Sequence, residues 1–169
     1  MKIKKFIKEI IYIALAVFVV TNVIGYFRGS SVNTSSLELL SEQTSINGKS
    51  VKKLIDSNKT LVVNFWGTWC PICMRELSTI ENLSKRDDIV LITVANQSGN
   101  NKELKEFMQK RGLDYIVVND NDGKLTKAFK ISTFPTNIFY SKDRKNSIVD
   151  SGYISEVGFN LRVKAMDSK

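Results

Sequence analysis

Two cysteines, three residues apart, carry whatever chemistry this chain performs. They are Cys70 and Cys73 in the run Trp66-Gly67-Thr68-Trp69-Cys70-Pro71-Ile72-Cys73, and they are the only cysteines. The chain has no histidine. A Ser-His or Cys-His nucleophile pair is therefore impossible. So are the common zinc sites, which need histidines or four cysteines within one chain. A C-x-x-C pair also suits half a zinc site or two buried thiols. Without further Cys or His to complete a metal site, thiol–disulfide exchange is the stronger reading. The thiolate is the reactive form, and a helix N-terminus favours it through unpaired N–H groups and the macrodipole. Pro71 fits the first turn of such a helix, where its missing N–H is no loss. Cys73, one turn on, shares a face with Cys70 and can resolve a mixed disulfide formed there. Cys70 is expected to attack and Cys73 to resolve.

The elements around the motif are those that such a site needs. Leu61–Phe65 reads as a buried strand leading in, and Pro71–Lys85 as a helix leading out, with Cys73, Leu77 and Ile80 on one face. Ile89–Ala95 is a strand, Asn101–Arg111 an amphipathic helix stopped by Gly112, and Tyr115–Val118 a short strand. Asp122-Gly123 turns into a helix over Lys124–Phe129. Thr136–Tyr140 and Ser147–Gly152 read as an antiparallel pair, and Ser155–Ala165 as a last helix. This alternation predicts an α/β fold, a central sheet with helices on both faces. Leu37–Lys59 reads as a hairpin or extended segment around Asn47-Gly48, followed by a short helix at Val51, Leu54 and Ile55.

The N-terminus has a different character. Met1–Lys8 is basic, and Ile10–Phe27 is apolar except for Thr21, Asn22 and Gly25. Eighteen residues rising 1.5 Å each span about 27 Å, enough to cross a hydrocarbon core. Lys2, Lys4, Lys5 and Lys8 precede the run and only Arg28 follows it. The positive-inside rule then puts Met1 in the cytoplasm and the rest outside. A cleaved signal peptide is the rival reading, but the run is long for one and Ile24-Gly25-Tyr26 is a poor cleavage site. Residues 1–28 are expected to be flank and transmembrane helix, 29–36 a polar linker, and 37–169 the folded domain. A disulfide-permissive compartment follows from that topology.

The net charge is +8, from 25 basic and 17 acidic residues. Half of the excess lies in the first thirty residues, and the remainder is mixed with acids along the chain. Nothing forms the stripe that nucleic acid requires, so no nucleic-acid partner is expected.

Thr133-Phe134-Pro135-Thr136 stands directly before a strand. An X-Pro bond there can be cis or trans at similar cost. In the cis form Phe134 would offer its backbone beside Cys70 to a substrate strand. Trp66 reads as core packing, and Trp69 as a partly exposed substrate contact. Glu76, one turn past Cys73, is either a surface residue or a proton-relay or substrate-steering group. Met74 and Met108 read as gap-fillers in the core.

The segment Asn64-Phe65-Trp66-Gly67-Thr68-Trp69-Cys70-x-x-Cys73-x-x-Glu76 resembles the active site of membrane-anchored thioredoxin-like proteins of bacteria, the TlpA and ResA type. Later segments are similar to ScsD, the suppressor-of-copper-sensitivity relative. These are Thr93-Val94-Ala95, Val118-Asn119-Asp120, Phe134-Pro135-Thr136 and Gly152-Tyr153. The resemblance implies a thioredoxin fold, a cis Pro135, and a redox-active disulfide in place of any cofactor or metal. It implies thiol or disulfide protein substrates and electrons drawn from a membrane carrier of the DsbD or CcdA kind. Asn64 departs from the acid that many thioredoxins bury in this strand. The Pro71-Ile72 dipeptide departs from the acid that cytochrome-maturation members carry between their cysteines. Besides a reductase or isomerase, a disulfide-forming oxidase and a Cu(I)-binding copper-tolerance module stay open.

Overall fold

The computed structural model describes Lys8, Glu9, Tyr12 and residues 34–168. The expected anchor, residues 10–27, lies outside the described residues apart from Tyr12. No helix among the described residues is long and apolar enough to cross a membrane.

Five strands form one sheet in the order β3-β2-β1-β4-β5. They are β1 (Thr60–Trp66), β2 (Ile89–Asn96), β3 (Ile116–Asp120), β4 (Thr136–Tyr140) and β5 (Ser147–Ser151). β1 runs parallel to β2, and β2 to β3. β4 is antiparallel to β1, and β5 to β4. Every residue of β1 is buried, as expected of a central strand covered on both faces. The strand is one residue longer at each end than Leu61–Phe65, because its pairing with β2 begins at Thr60 and continues to Trp66.

Six helices among residues 34–168 cover the sheet. They are α1 (Thr34–Ser41), α2 (Val51–Ile55), α3 (Pro71–Ser84), α4 (Asn101–Lys110), α5 (Lys124–Ala128) and α6 (Glu156–Asp167). Alternate residues of β1 point to opposite faces, and two apolar layers follow. Val62 and Trp66 pack with Leu77, Ile80 and Leu83 of α3, Leu104 of α4 and Phe159 of α6. Leu61, Val63 and Phe65 pack with Leu37 and Leu40 of α1, Val51 of α2 and Leu125 of α5. The helices on both faces match the sequence reading.

The N-terminal part of the domain differs from it. Helix α1 begins at Thr34, inside the stretch expected as linker, and occupies residues expected to be extended. Its Leu37 and Leu40 are buried, and the hydroxyl of Ser36 donates to the carbonyl of Ala128 at 2.8 Å. The hairpin around Asn47-Gly48 reduces to a single bridge between Thr44 and Ser50.

Arg144, in the turn between β4 and β5, joins distant loops. Its guanidinium donates to the carbonyls of Ile55, Ser57, Lys59 and Ser141 at 2.7–3.2 Å. The first three of these carbonyls end α2 and lead into β1, and Ser141 follows β4. Charged donors to carbonyls are worth more than neutral ones, and orphaned acceptors cost free energy. Arg144→Met should therefore lower the unfolding free energy by about 2 kcal/mol in urea, with the thiol reactivity of the pair unchanged. A loss below about 0.5 kcal/mol would show that water replaces the clamp without cost.

Candidate active site

The reactive pair stands where β1 ends. Cys70 is the N-cap of α3, in extended conformation, and Pro71 occupies the first turn. The Sγ of Cys70 accepts the backbone N–H of Cys73 at 3.2 Å, so a thiolate formed there meets an unpaired helix donor. The two cysteines are joined as a disulfide, with 5.2 Å between their Cα atoms. Both are buried, at 4% and 2% exposure. Exposure therefore does not separate their roles, whereas the N-cap position of Cys70 does.

The turn before the pair is stitched to the loop after β2. Ser98 Oγ accepts the N–H of Thr68 at 2.9 Å and donates to the carbonyl of Asn96. The indole N–H of Trp69 donates to the same carbonyl at 3.0 Å. The ring then lies back across Gly67, where an added Cβ would fall 2.6 Å from it. Only glycine fits beneath the ring. Trp69 stays half exposed and meets Phe134 edge-on at 5.3 Å between centroids. Trp66 is core, as expected, against Phe107 and Tyr115.

The Phe134–Pro135 peptide is cis, as the resemblance implied. Pro135 is buried and Phe134 half-buried. The Pro135 carbonyl accepts the N–H of Gly152 at 2.8 Å, which ties the proline turn to the connection between β5 and α6. Two residues on, the N–H of Ile154 donates to Glu76 Oε1 at 2.9 Å.

That bond corrects one of the two readings of Glu76. The residue is not on the surface but 1% exposed. It shares the inward face of α3 with Cys73 three residues before it, and it satisfies a backbone N–H beyond the end of β5. Burial raises its pKa from 4.5 to about 7, against the lowering effect of the Ile154 N–H, and the charge of Asp150 adds to the rise. A second buried polar group lies in the sheet: Asn64 Nδ2 donates to Asn137 Oδ1 at 2.9 Å across the β1–β4 pair. The Nδ2 of Asn137 and the indole N–H of Trp66 are buried without a partner among the described residues. Asn137, Ser98 and the Ile154 N–H are site-forming groups that the sequence reading did not assign. An asparagine inside a buried strand was a visible signal for the first. A main-chain N–H leaves none.

The Redoxin family's profile matches residues 29–158. The chain belongs to the Redoxin family. A "Thioredoxin-like protein" of Haemophilus influenzae is 29% identical over 163 residues, 96% of each chain. The thiol-disulfide oxidoreductase ResA of Bacillus subtilis is 30% identical over 112 residues, 65% of this chain and 63% of ResA. Among solved structures, the exposed lipoprotein thioredoxin Etrx1 of Streptococcus pneumoniae is 25% identical, with a TM-score of 0.62 over 73% of this chain and 96% of that one. StoA of Bacillus subtilis shares the fold, with a TM-score of 0.59 at 22% identity, over 70% of this chain and 92% of its own. The fold is thioredoxin-like, and this Redoxin-family chain is a protein disulfide oxidoreductase whose Cys70–Cys73 pair performs thiol–disulfide exchange.

The acid beneath the pair has a measurable signature. Its folded-state pKa lies above the unfolded value, so its contribution to stability is fully present below about pH 4.5 and is lost as pH rises through about 7. Glu76→Gln keeps an acceptor for Ile154 and removes the titration. Between pH 5 and pH 8.5 the oxidised wild type should lose on the order of 2–3 kcal/mol more than the variant in urea unfolding. Parallel pH profiles would show that Glu76 does not titrate in this range.

Proposed function

We propose that the domain reduces or isomerises protein disulfides outside the cytoplasm, with Cys70 attacking and Cys73 resolving. The observation that carries this reading is Cys70 Sγ at the N-cap of α3, accepting the Cys73 N–H. The Cys70 thiolate attacks one sulfur of a substrate disulfide, and the first substrate thiolate leaves. Cys73 then loses its proton and attacks Cys70 Sγ. The mixed disulfide breaks, the second substrate thiolate leaves, and two electrons have passed to the substrate. The Cys70–Cys73 disulfide remains, to be reduced by a dithiol donor. A membrane carrier of the DsbD or CcdA kind fits that role for a domain held at a membrane.

The supporting residues follow from their positions. Asn64 cannot take a proton from Cys73. Glu76 can, because its pKa of about 7 lets it exchange protons near neutrality. Trp69 and Phe134 line the approach to Cys70. Phe134 lies beyond the last paired position of β4, Thr136, where a substrate strand can add.

The direction of electron flow follows from how weakly the thiolate is favoured. No histidine exists to stabilise it, and the helix terminus contributes about 1–2 kcal/mol, near one pKa unit. A strong oxidant needs far more, so the potential should fall near thioredoxin's, below about −200 mV. Equilibration of the purified protein against glutathione measures this. A value above about −150 mV would promote the oxidase reading. In the same preparation Cys73→Ser should accumulate mixed disulfides at Cys70, whereas Cys70→Ser should not.

The compartment is proposed on the basic flank and apolar run alone. An alkaline phosphatase fused after Lys169 should be active in intact cells, and the mature protein should retain residue 1. An inactive fusion, or a mature chain starting beyond residue 27, refutes the anchored topology.

A further inference from the structure

The turn that delivers Cys70 has two central residues, and both are tied to one bend. The Gly67 carbonyl accepts the Cys70 N–H at 3.1 Å, which closes a four-residue turn over Thr68 and Trp69. The Thr68 N–H ends on Ser98 Oγ, and the Trp69 indole N–H ends on the Asn96 carbonyl. The Ser98 hydroxyl donates in turn to that carbonyl. One side chain thus accepts from the turn and orients the acceptor of its ring. Ser98 and Asn96 are both buried, so neither bond is readily exchanged for water. Gln97 between them has a φ of 45°, in the left-handed region that side chains other than glycine seldom adopt. Such a conformation persists where the surroundings impose it. Here both neighbours of Gln97 bond the Cys70 turn, and its own N–H donates to the carbonyl of Asp120 in β3 at 3.2 Å.

None of these bonds involves the sulfur, since Cys70 Sγ accepts from the Cys73 N–H. What they hold is the ring. Trp69 is 52% exposed, lies across Gly67 and meets Phe134 edge-on. An exposed side chain ordinarily hops between rotamers, whereas this one is bonded at its polar atom and packed on either side. A ring already fixed loses no freedom when a ligand settles on it, and that saving appears as affinity.

We infer that Ser98 is a positioning residue of thiol–disulfide exchange, acting through Thr68 and the Asn96 carbonyl to hold the Trp69 ring in place for a polypeptide that lies over Cys70. The inference rests on the exchange of protein disulfides proposed above. Ser98 is buried, so it acts through the ring. Its effect falls on the binding of substrate, because the helix donor that favours the Cys70 thiolate is independent of it. The position requires a hydroxyl that accepts from Thr68 and donates to Asn96 at once. Threonine can do both, and alanine neither.

The test follows single-turnover oxidation of the full-length reduced protein in detergent by a synthetic peptide whose one cysteine is blocked as its glutathione disulfide. Peptide concentration is varied, so that half-saturation and limiting rate are read separately. Ser98→Ala should raise the half-saturating concentration about fivefold, equivalent to about 1 kcal/mol, the worth of one neutral hydrogen bond. The limiting rate should change by less than about twofold. In nuclear magnetic resonance spectra the indole N–H of Trp69 should exchange with water faster than in the wild type, and that of Trp66 should not. Ser98→Thr should show neither change. In a Trp69→Phe background, Ser98→Ala should have no further effect on half-saturation, because the two residues act as one unit. A half-saturation unmoved by Ser98→Ala, a loss carried by the limiting rate, or additive losses in the double variant overturn the inference while leaving exchange intact. If circular dichroism shows Ser98→Ala unfolded, Trp69→Phe alone decides: the half-saturating concentration should rise, and an unchanged value overturns the inference. Wild-type protein that the peptide oxidises at no concentration overturns the exchange reading and this one together.

Discussion

Strand β1 is hydrogen-bonded along both edges and covered on both faces, and that confinement decides where the reactive sulfurs can be. A strand held in this way cannot slide by one residue without exchanging its two apolar layers. Its last residue, Trp66, is therefore fixed, and four residues later stands Cys70, the N-cap of α3. The carbonyl of Asn96 and the hydroxyl of Ser98 fix the intervening turn. The sulfur of Cys70 is thus placed by the sheet, not by the loop that carries it. The helix contributes the N–H of Cys73, which meets the sulfur that the strand delivers.

The same confinement makes polar groups in the α3 layer costly. An amide or carboxyl there must find its partners inside the protein. Asn64 and Asn137 partly satisfy each other across two neighbouring strands. Glu76 takes a main-chain N–H from a chain segment 78 residues away. Neither arrangement improves packing. An apolar pair of similar volume would be expected to stabilise the domain at least as well. In the proposed exchange the acid adds a proton acceptor on the helix of the resolving cysteine, beside a strand whose own polar side chain, Asn64, cannot titrate.

The strands and the reactive pair were legible in the sequence for reasons that the structure makes plain. Leu61, Val62, Val63 and Phe65 form an apolar run interrupted only by Asn64 because their strand is buried on both faces. Pro71 and the two cysteines signal a helix start by local rules alone. What was not legible depends on distant partners. Thr34–Ser41 begins with hydroxyl residues that read as a tether, and it is helical because Leu37 and Leu40 reach the second apolar layer. The burial of Glu76 required Ile154, and the polarity of Asn137 required Asn64. Arg144 looked like any residue in a basic loop until its four carbonyls came together.

The bond between Glu76 and Ile154 has a consequence for binding. The donor belongs to the turn that carries Tyr153, and the acceptor is the acid one turn from Cys73. A main-chain N–H bonds an ionised carboxylate more strongly than a neutral one. Proton occupancy and turn geometry are therefore two variables of one thermodynamic cycle. Any ligand that displaces the turn must change the proton affinity of the acid, and by reciprocity the acid's charge must change the affinity for that ligand by the same factor. In the proposed exchange, the placement of the Tyr153 turn and the proton affinity of the acid on the helix of the resolving thiol are coupled in this way across a single hydrogen bond.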